Sequence, residues 1–283
     1  MSLAFSKPVP FAEALRDRRA RQLLRTALSS DEIKRLGADL AQRAVVSAKV
    51  QHAGVLDRLT SLITRIVSPE TVDGRPAQTG EYMDQARARE LLKEFLASIH
   101  YEPEPGKRGT IQDLTTDARL NVMLKTGADM TRWAAHHQMG QSRAVLDEYP
   151  AQELRRFEAR RERRVWRAVW EANGGRVFPG GDPEFGGRLV ALKNDPIWRA
   201  ISDFDLPHPP FAFGSGVGIS PVARDDAIAL GLIDRDTQVE PDTRLINEGY
   251  EASVAEFSAA LQAALAKDPR LQVEDGVLKW RAS

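Results

Sequence analysis

The 283-residue sequence contains no cysteine. That excludes disulfides, thiolate metal sites and cysteine nucleophiles together. It also lacks a charge excess of either sign, because 40 Lys and Arg residues balance 40 Asp and Glu. A general nucleic-acid coat draws its affinity from a large basic surplus, so that class is set aside, although a local basic patch is not. Nowhere do about 18 apolar residues run together, and no membrane-spanning helix is expected. The opening MSLAFSKPVPFAEALRDRRARQ has no unbroken apolar run, which argues against a secretory signal and for synthesis in a cytoplasm-like compartment. Internal repeats and low-complexity tracts are missing as well. Histidine is scarce: His52, His100, His136, His137 and His208. Adjacent histidines on a helix diverge by about 100°, so His136 and His137 do not form the usual i, i+4 metal pair. No metal and no cofactor is expected.

What is present is ordinary globular material, 42% hydrophobic and 28% charged. The pattern predicts an α+β protein, predominantly helical: a helical N-terminal arm, then a compact mixed body with short strands. Residues 1–105 read as the helical region, with one helix after Pro10 and another from Ser29 to Ser68, broken near Gly37 or Gly54. VDGRPAQTGEY reads as a loop and EYMDQARARELLKEFLASIHY as an amphipathic helix. EPEPGKRG is the clearest boundary candidate. Residues 106–235 form the expected α+β domain. Its first helix is capped by Thr115 or Thr116, and Gly174-Gly175 stops a helix over AQELRRFEARRERRVWRAVWEANGG, part of which also suits a strand. RVF and RLVAL are strand candidates, and SPVARDDAIALGLI is a short capped helix. Residues 236–283 supply a C-terminal helix over EASVAEFSAALQAALAKDP and a hairpin centred on Asp275-Gly276.

Two stretches invite a functional reading. HPPFAFGSGVG, residues 208–218, packs two prolines, two phenylalanines and three glycines into eleven residues. A phosphate-binding glycine loop follows a regular strand and precedes a helix, and a P-loop carries a Lys after its last glycine. Here Pro209 and Pro210 precede, Ile219-Ser220-Pro221 follows, and no Lys is present. Ser215 is flanked directly by glycines and so is no G-x-S-x-G nucleophile. A fixed turn anchored by two aromatic rings accounts for the composition better. The second stretch holds Arg155, Arg156, Arg160, Arg161, Arg163, Arg164 and Arg167 among Glu153, Glu158 and Glu162, interleaved with Phe157, Trp166 and Trp170. Such a cluster suits a phosphate backbone or base stacking. It equally suits a solvated face whose opposite charges pair locally. Residues 224–256 run the other way, with nine acidic residues against three arginines.

The order of segments in the second half is similar to a known pattern. A helix over GTIQDLTTDARLNVMLKTGADMTRW leads to an Arg-bearing segment, a DPIW turn at residues 195–198 and an HPP…G.G loop. This resembles the phage head-morphogenesis family, the minor head proteins similar to protein F of phage Mu. PFAEAL, LSSDEIKRL and RAVVSAKVQHAGVLDRL resemble the N-terminal helical part of its longer prophage members. The resemblance implies a non-enzymatic virion component of capsid assembly and of DNA packaging or ejection. It would be assembled in the host cytoplasm and located in the head interior or at the portal vertex. Its partners would be the portal protein, other head proteins and packaged double-stranded DNA. Asp195, Pro196, Trp198, His208, Pro209, Pro210, Gly214, Gly216 and Gly218 would then form a structural clasp, and Arg155 to Arg167 would face DNA or an acidic partner. Many members carry cysteine and a second basic residue after the two prolines, whereas this chain has Phe211-Ala212-Phe213-Gly214-Ser215. The alternatives are a phosphate- or nucleotide-binding enzyme using residues 214–218, or a DNA-binding protein using residues 155–167.

Overall fold

The protein is α+β. The computed structural model describes residues 22–23, 44–45, 53–68, 71–72, 75–76, 82–110, 112–160, 164–242, 251–253, 263, 266 and 271–280. The chain divides into two compact units, residues 1–132 with 246–283, and residues 133–245. The linker-like EPEPGKRG lies inside the first of them.

In the first unit, α1 (Ala53–Val67), α2 (Gln85–Ser98) and the first part of α3 (Asp117–Gly140) supply the core. Leu56, Leu59, Leu62, Ile63 and Ile66 recur along one stripe of α1 and are buried, as are Ala88, Leu92 and Leu96 of α2 and Leu120 and Leu124 of α3. Gly127 keeps α3 against α1, since a Cβ there would overlap the Ile63 side chain. Capping sets the helix starts. Asp84 accepts from Ala86 N and Arg87 N at 2.8 and 3.2 Å, and Thr116 Oγ1 accepts from Arg119 N at 3.3 Å. The buried Asp113 carboxylate orders the preceding turn through Gly109 N, Thr115 N and Thr115 Oγ1. Those bonds favour its ionised form, and its pKa falls below the ordinary range even though burial opposes the shift.

Two helical expectations fail here. Gln22–Leu23 and Ala44–Val45 are extended and pair in parallel, although both fall inside expected helices. The second pair lies in RAVVSAKV, where adjacent β-branched valines lower helix preference, and strand pairing overrides the rest. The expected C-terminal helix loses its first residues in the same way. Glu251–Ser253 (β5) pairs with Val277–Trp280 (β7), which forms the expected hairpin with Leu271–Glu274 (β6). Asp275 and Gly276 sit at φ +49° and +74°, the left-handed geometry of a tight hairpin turn. Most of the remaining helical segment lies outside the described residues.

The second unit is organised by a four-stranded antiparallel sheet in the order β2-β3-β1-β4. Its strands are β1 (Ala151–Arg156), β2 (Val177–Phe178), β3 (Arg188–Leu192) and β4 (Val217–Val222). The RVF and RLVAL segments are thus strands, as their pattern suggests. AQELRR is a strand too, although Ala, Gln, Glu, Leu and Arg are all good helix formers. Pairing on both sides outweighs a propensity difference of a few tenths of a kcal/mol per residue. Only the later part of that segment is helical, as α5 (Trp166–Ala172). It stops before Gly174, whose φ is +81°. SPVARDDAIALGLI is helical only as α7 (Arg224–Ala229), while Ser220 and Pro221 belong to β4. Pro221 is tolerated there because β4 is an edge strand.

Side-chain alternation splits the sheet into two packed faces. Leu154, Leu189, Ala191 and Val217 meet Trp166, Trp170, Trp198 and Phe211 on one side. Ala151, Val190 and Val222 meet Leu146, from α4 (Arg143–Glu148), and Ala227 and Ile233 on the other. Trp198 sits in the short α6 (Ile197–Ala200) and is fully buried. Its ring packs against Trp170 at 5.2 Å and Phe211 at 6.0 Å, and its Nε1 donates to Leu192 O at 2.7 Å. Replacing Trp198 with Ala removes the ring shared by helix, strand end and loop. We expect a loss of about 3–5 kcal/mol, measured by denaturant unfolding followed through the remaining tryptophans. A loss below about 1 kcal/mol would contradict this packing.

Candidate functional site

The glycine-rich stretch is built into the second unit by its backbone. Pro209 and Pro210 are joined by a cis peptide bond, and both are buried. The buried His208 donates from Nδ1 to Pro209 O at 2.7 Å, and its ring lies 5.7 Å from that of His137. Phe211 is fully buried, stacked on Trp198 and edge-on to Trp166. Its carbonyl accepts from Asp203 N at 2.7 Å. The expectation of two anchoring rings needs correction. Phe213 is exposed at 43%, and its ring meets that of Phe204 edge-on at 4.8 Å. In the DPIW turn, Asp195 Oδ1 accepts from Ile197 N at 2.8 Å, starting α6 behind Pro196.

The glycines serve close packing. Gly216 O accepts from both Phe157 N and Glu158 N at 3.0 Å, and Gly216 has φ +65°. A Cβ on Gly216 would lie 2.7 Å from Glu158 O and 2.8 Å from Arg160 Nε. On Gly218, within β4, it would lie 2.8 Å from Trp133 and 2.9 Å from Phe157. Gly214 also has a positive φ, +58°, but a Cβ there meets nothing. Gly216→Ala therefore combines strain and collision, whereas Gly214→Ala carries strain alone. We expect Gly214→Ala to cost roughly 1 kcal/mol and Gly216→Ala clearly more, in paired thermal-unfolding measurements. Equal losses would count against the collision.

The arginine cluster is largely occupied within the unit. Arg156 donates to Glu184 Oε1 from Nε and Nη2 at 3.0 and 2.6 Å, and from Nη1 to Ser215 O at 2.7 Å. Arg160 pairs with Glu158 at 2.6 Å, and Arg164 grips Asp203 through two bonds of 3.0 and 2.9 Å. Arg167 pairs with Glu171 and donates to Gly186 O. Arg155 is exposed, while Arg161 and Arg163 lie outside the described residues. These bonds tie the 156–167 segment to the loops around it.

Sequence reasoning missed a cleft of about 460 Å³ in the second unit, bordered by Trp133, His137, Gln152, Phe157, Lys193 and Ile219 among others. Lys193 is 6% exposed, and among the described residues its Nζ reaches only Gly140 O, at 3.5 Å, at the end of α3. Burial pushes its pKa down to about 8 from the usual 10.5. The only available signal was a Lys directly after an apolar strand, in RLVALKND, which is a weak one. Between pH 8 and 10.5 the folded chain has released a proton that the unfolded chain still holds. Stability therefore rises with pH in that window. Lys193→Met should abolish this rise and stabilise the protein at pH 7 by up to roughly 3 kcal/mol. Urea unfolding of both proteins at pH 7, 8.5 and 10 measures the difference, and parallel pH profiles would show that Lys193 is hydrated.

Among the described residues no three His, Asp or Glu side chains stand together as a metal site requires, and no helix is long and apolar enough to cross a membrane. No family model, curated protein or solved structure matches the chain.

Proposed function

We propose that the chain is a phage or prophage minor head protein that associates with the portal during capsid assembly and acts in DNA packaging or ejection. One observation carries the reading. Three of the segments on which the family resemblance rests come together in one aromatic core: the DPIW turn supplies Trp198, the HPP loop supplies Phe211, and the Arg-bearing segment supplies Leu154, Trp166 and Trp170. Separate motifs that converge on one core are the expected signature of a fold determinant. Their polar groups are spent on structural bonds, as in Asp195 to Ile197, Trp198 to Leu192 and His208 to Pro209. A catalytic or nucleotide role for the glycine stretch is less favoured. Gly216 and Gly218 are closely approached by Glu158, Arg160, Trp133 and Phe157, so a need for close packing accounts for both glycines without a ligand.

In this reading the partners are the portal protein and other head proteins, with packaged double-stranded DNA nearby. The protein sits in the head interior or at the portal vertex. The test is quantitative mass spectrometry of purified heads from the host carrying this gene, scored as copies of this chain per portal subunit. A reproducible low copy number in full heads is expected. Absence from both full and precursor heads would overturn the proposal.

A further inference from the structure

The Lys193 cleft plays no part in the assembly reading, and the inference drawn from it stands independently. Its volume of about 460 Å³ lies in the range that accommodates small organic ligands. Trp133, Phe157 and Ile219 give it apolar walls. The aromatic wall depends on Gly218, because any larger residue would push Trp133 and Phe157 off the strand.

Two polar side chains bordering the cleft are more than nine-tenths buried, Gln152 at 4% and Lys193 at 6% exposure. Gln152 stands opposite Ala191 in the β1–β3 pair. Lys193 lies two residues further on, and its N–H continues the ladder to Pro150 O at 3.0 Å. Strand alternation therefore returns the Lys193 side chain to the same face as Gln152. Both present donors in excess of their acceptors. Gln152 Nε2 has no hydrogen-bond partner among the described residues. The Lys193 ammonium has three N–H groups, and its bond to Gly140 O is at the long limit. Burial acts on it without the opposing pull of a carboxylate.

This arrangement selects among ligand classes. A cation is repelled by Lys193, and a neutral molecule leaves the buried ammonium uncompensated. Phosphate is too strongly hydrated for one cation among apolar walls. A carboxylate accepts hydrogen bonds on both oxygens and carries the single charge that Lys193 lacks. We infer that the cleft binds a small organic acid, its carboxylate held by Lys193 and Gln152 and its apolar body between Trp133, Phe157 and Ile219.

The experiment is calorimetric titration of the full chain at pH 7 with 2-naphthoate. Two controls run beside it: 2-naphthalenemethanol, with the same ring system and no charge, and inorganic phosphate, a charge with no apolar body. Saturable 1:1 binding of 2-naphthoate with a Kd below about 1 mM is expected. Both controls should bind at least tenfold more weakly. Lys193→Met should weaken naphthoate binding at least tenfold, and Gln152→Leu severalfold. Melting curves would verify that each variant is folded, and either variant alone suffices if the other is not. Three results would each overturn the inference: no saturable binding of naphthoate to the wild-type chain, equal binding of the neutral alcohol, or unchanged affinity in the folded variants.

Discussion

The second unit depends on one constraint: β1 must be buried on both faces while paired along both edges. Its first four residues, Ala151 to Leu154, are all buried, although the middle two, Gln152 and Glu153, are polar. A strand in that position has no solvent side on which to leave a charge. Glu153 is accordingly held by Arg188 of the neighbouring strand, through Nε at 3.0 Å and Nη2 at 2.9 Å. The ion pair does not drive folding, since desolvating two charges offsets much of their attraction. Its consequence is register. A slip of one residue would carry Glu153 to the aromatic face and leave Arg188 without its partner.

The aromatic face is locked from the loop side. Trp198 hangs from the carbonyl of Leu192 at the end of β3, and Trp170 donates from Nε1 to Arg176 O at 2.8 Å. Buried indoles are stable where the N–H finds an acceptor, and these two do so close to their own position in the chain. Each ring is therefore held by a local bond, and Phe211 of the HPP loop stacks on the Trp198 ring. The arginines of the 156–167 segment act in the same direction at the periphery. Arg156 joins β1 to both the Glu184 turn and the Ser215 carbonyl, and Arg164 joins the start of α5 to Asp203. Such pairs contribute little singly, but two bonds each to Glu184 and Asp203, with a single bond to Ser215 O, restrict how those three loops can move.

Much of this was legible in the sequence. Hydrophobic periodicity located α1, α2 and α3, and glycine-bounded β-branched runs located β2, β3 and the C-terminal hairpin, because local interactions dominate in those segments. The failures have a common cause. AQELRR, the RAVV segment and Glu251–Ser253 each adopt an extended form that only a distant strand can enforce, and such pairing leaves no local trace. The prolines of the glycine stretch set its pattern apart from that of phosphate loops. Its second aromatic ring was misplaced, because composition does not reveal on which side of Gly214 the chain leaves the core. Gln152 and Lys193 escaped notice altogether. One sits in a strand that reads as a helix, and the other is an ordinary surface residue by type.

Lys193 is the point at which stability and architecture disagree. Arg156, Arg164 and Arg188 are each met by a carboxylate, so the unit does neutralise its buried and half-buried cations. Lys193 is more deeply buried than these arginines, yet among the described residues its ammonium donates one long bond, to the helix-terminal carbonyl of Gly140. The negative end of α3 offsets part of the cost of desolvation, an effect worth up to about 1–2 kcal/mol in partly buried geometry. A methionine would fill the same space without that cost. A fold shaped by packing alone has no need of an ammonium there, and a cleft that receives a negative charge does. The same geometry that makes Lys193 unfavourable in the isolated chain makes it a strong partner for an anion entering with its own apolar body, because folding has already desolvated the ammonium and only the anion's hydration remains to be offset.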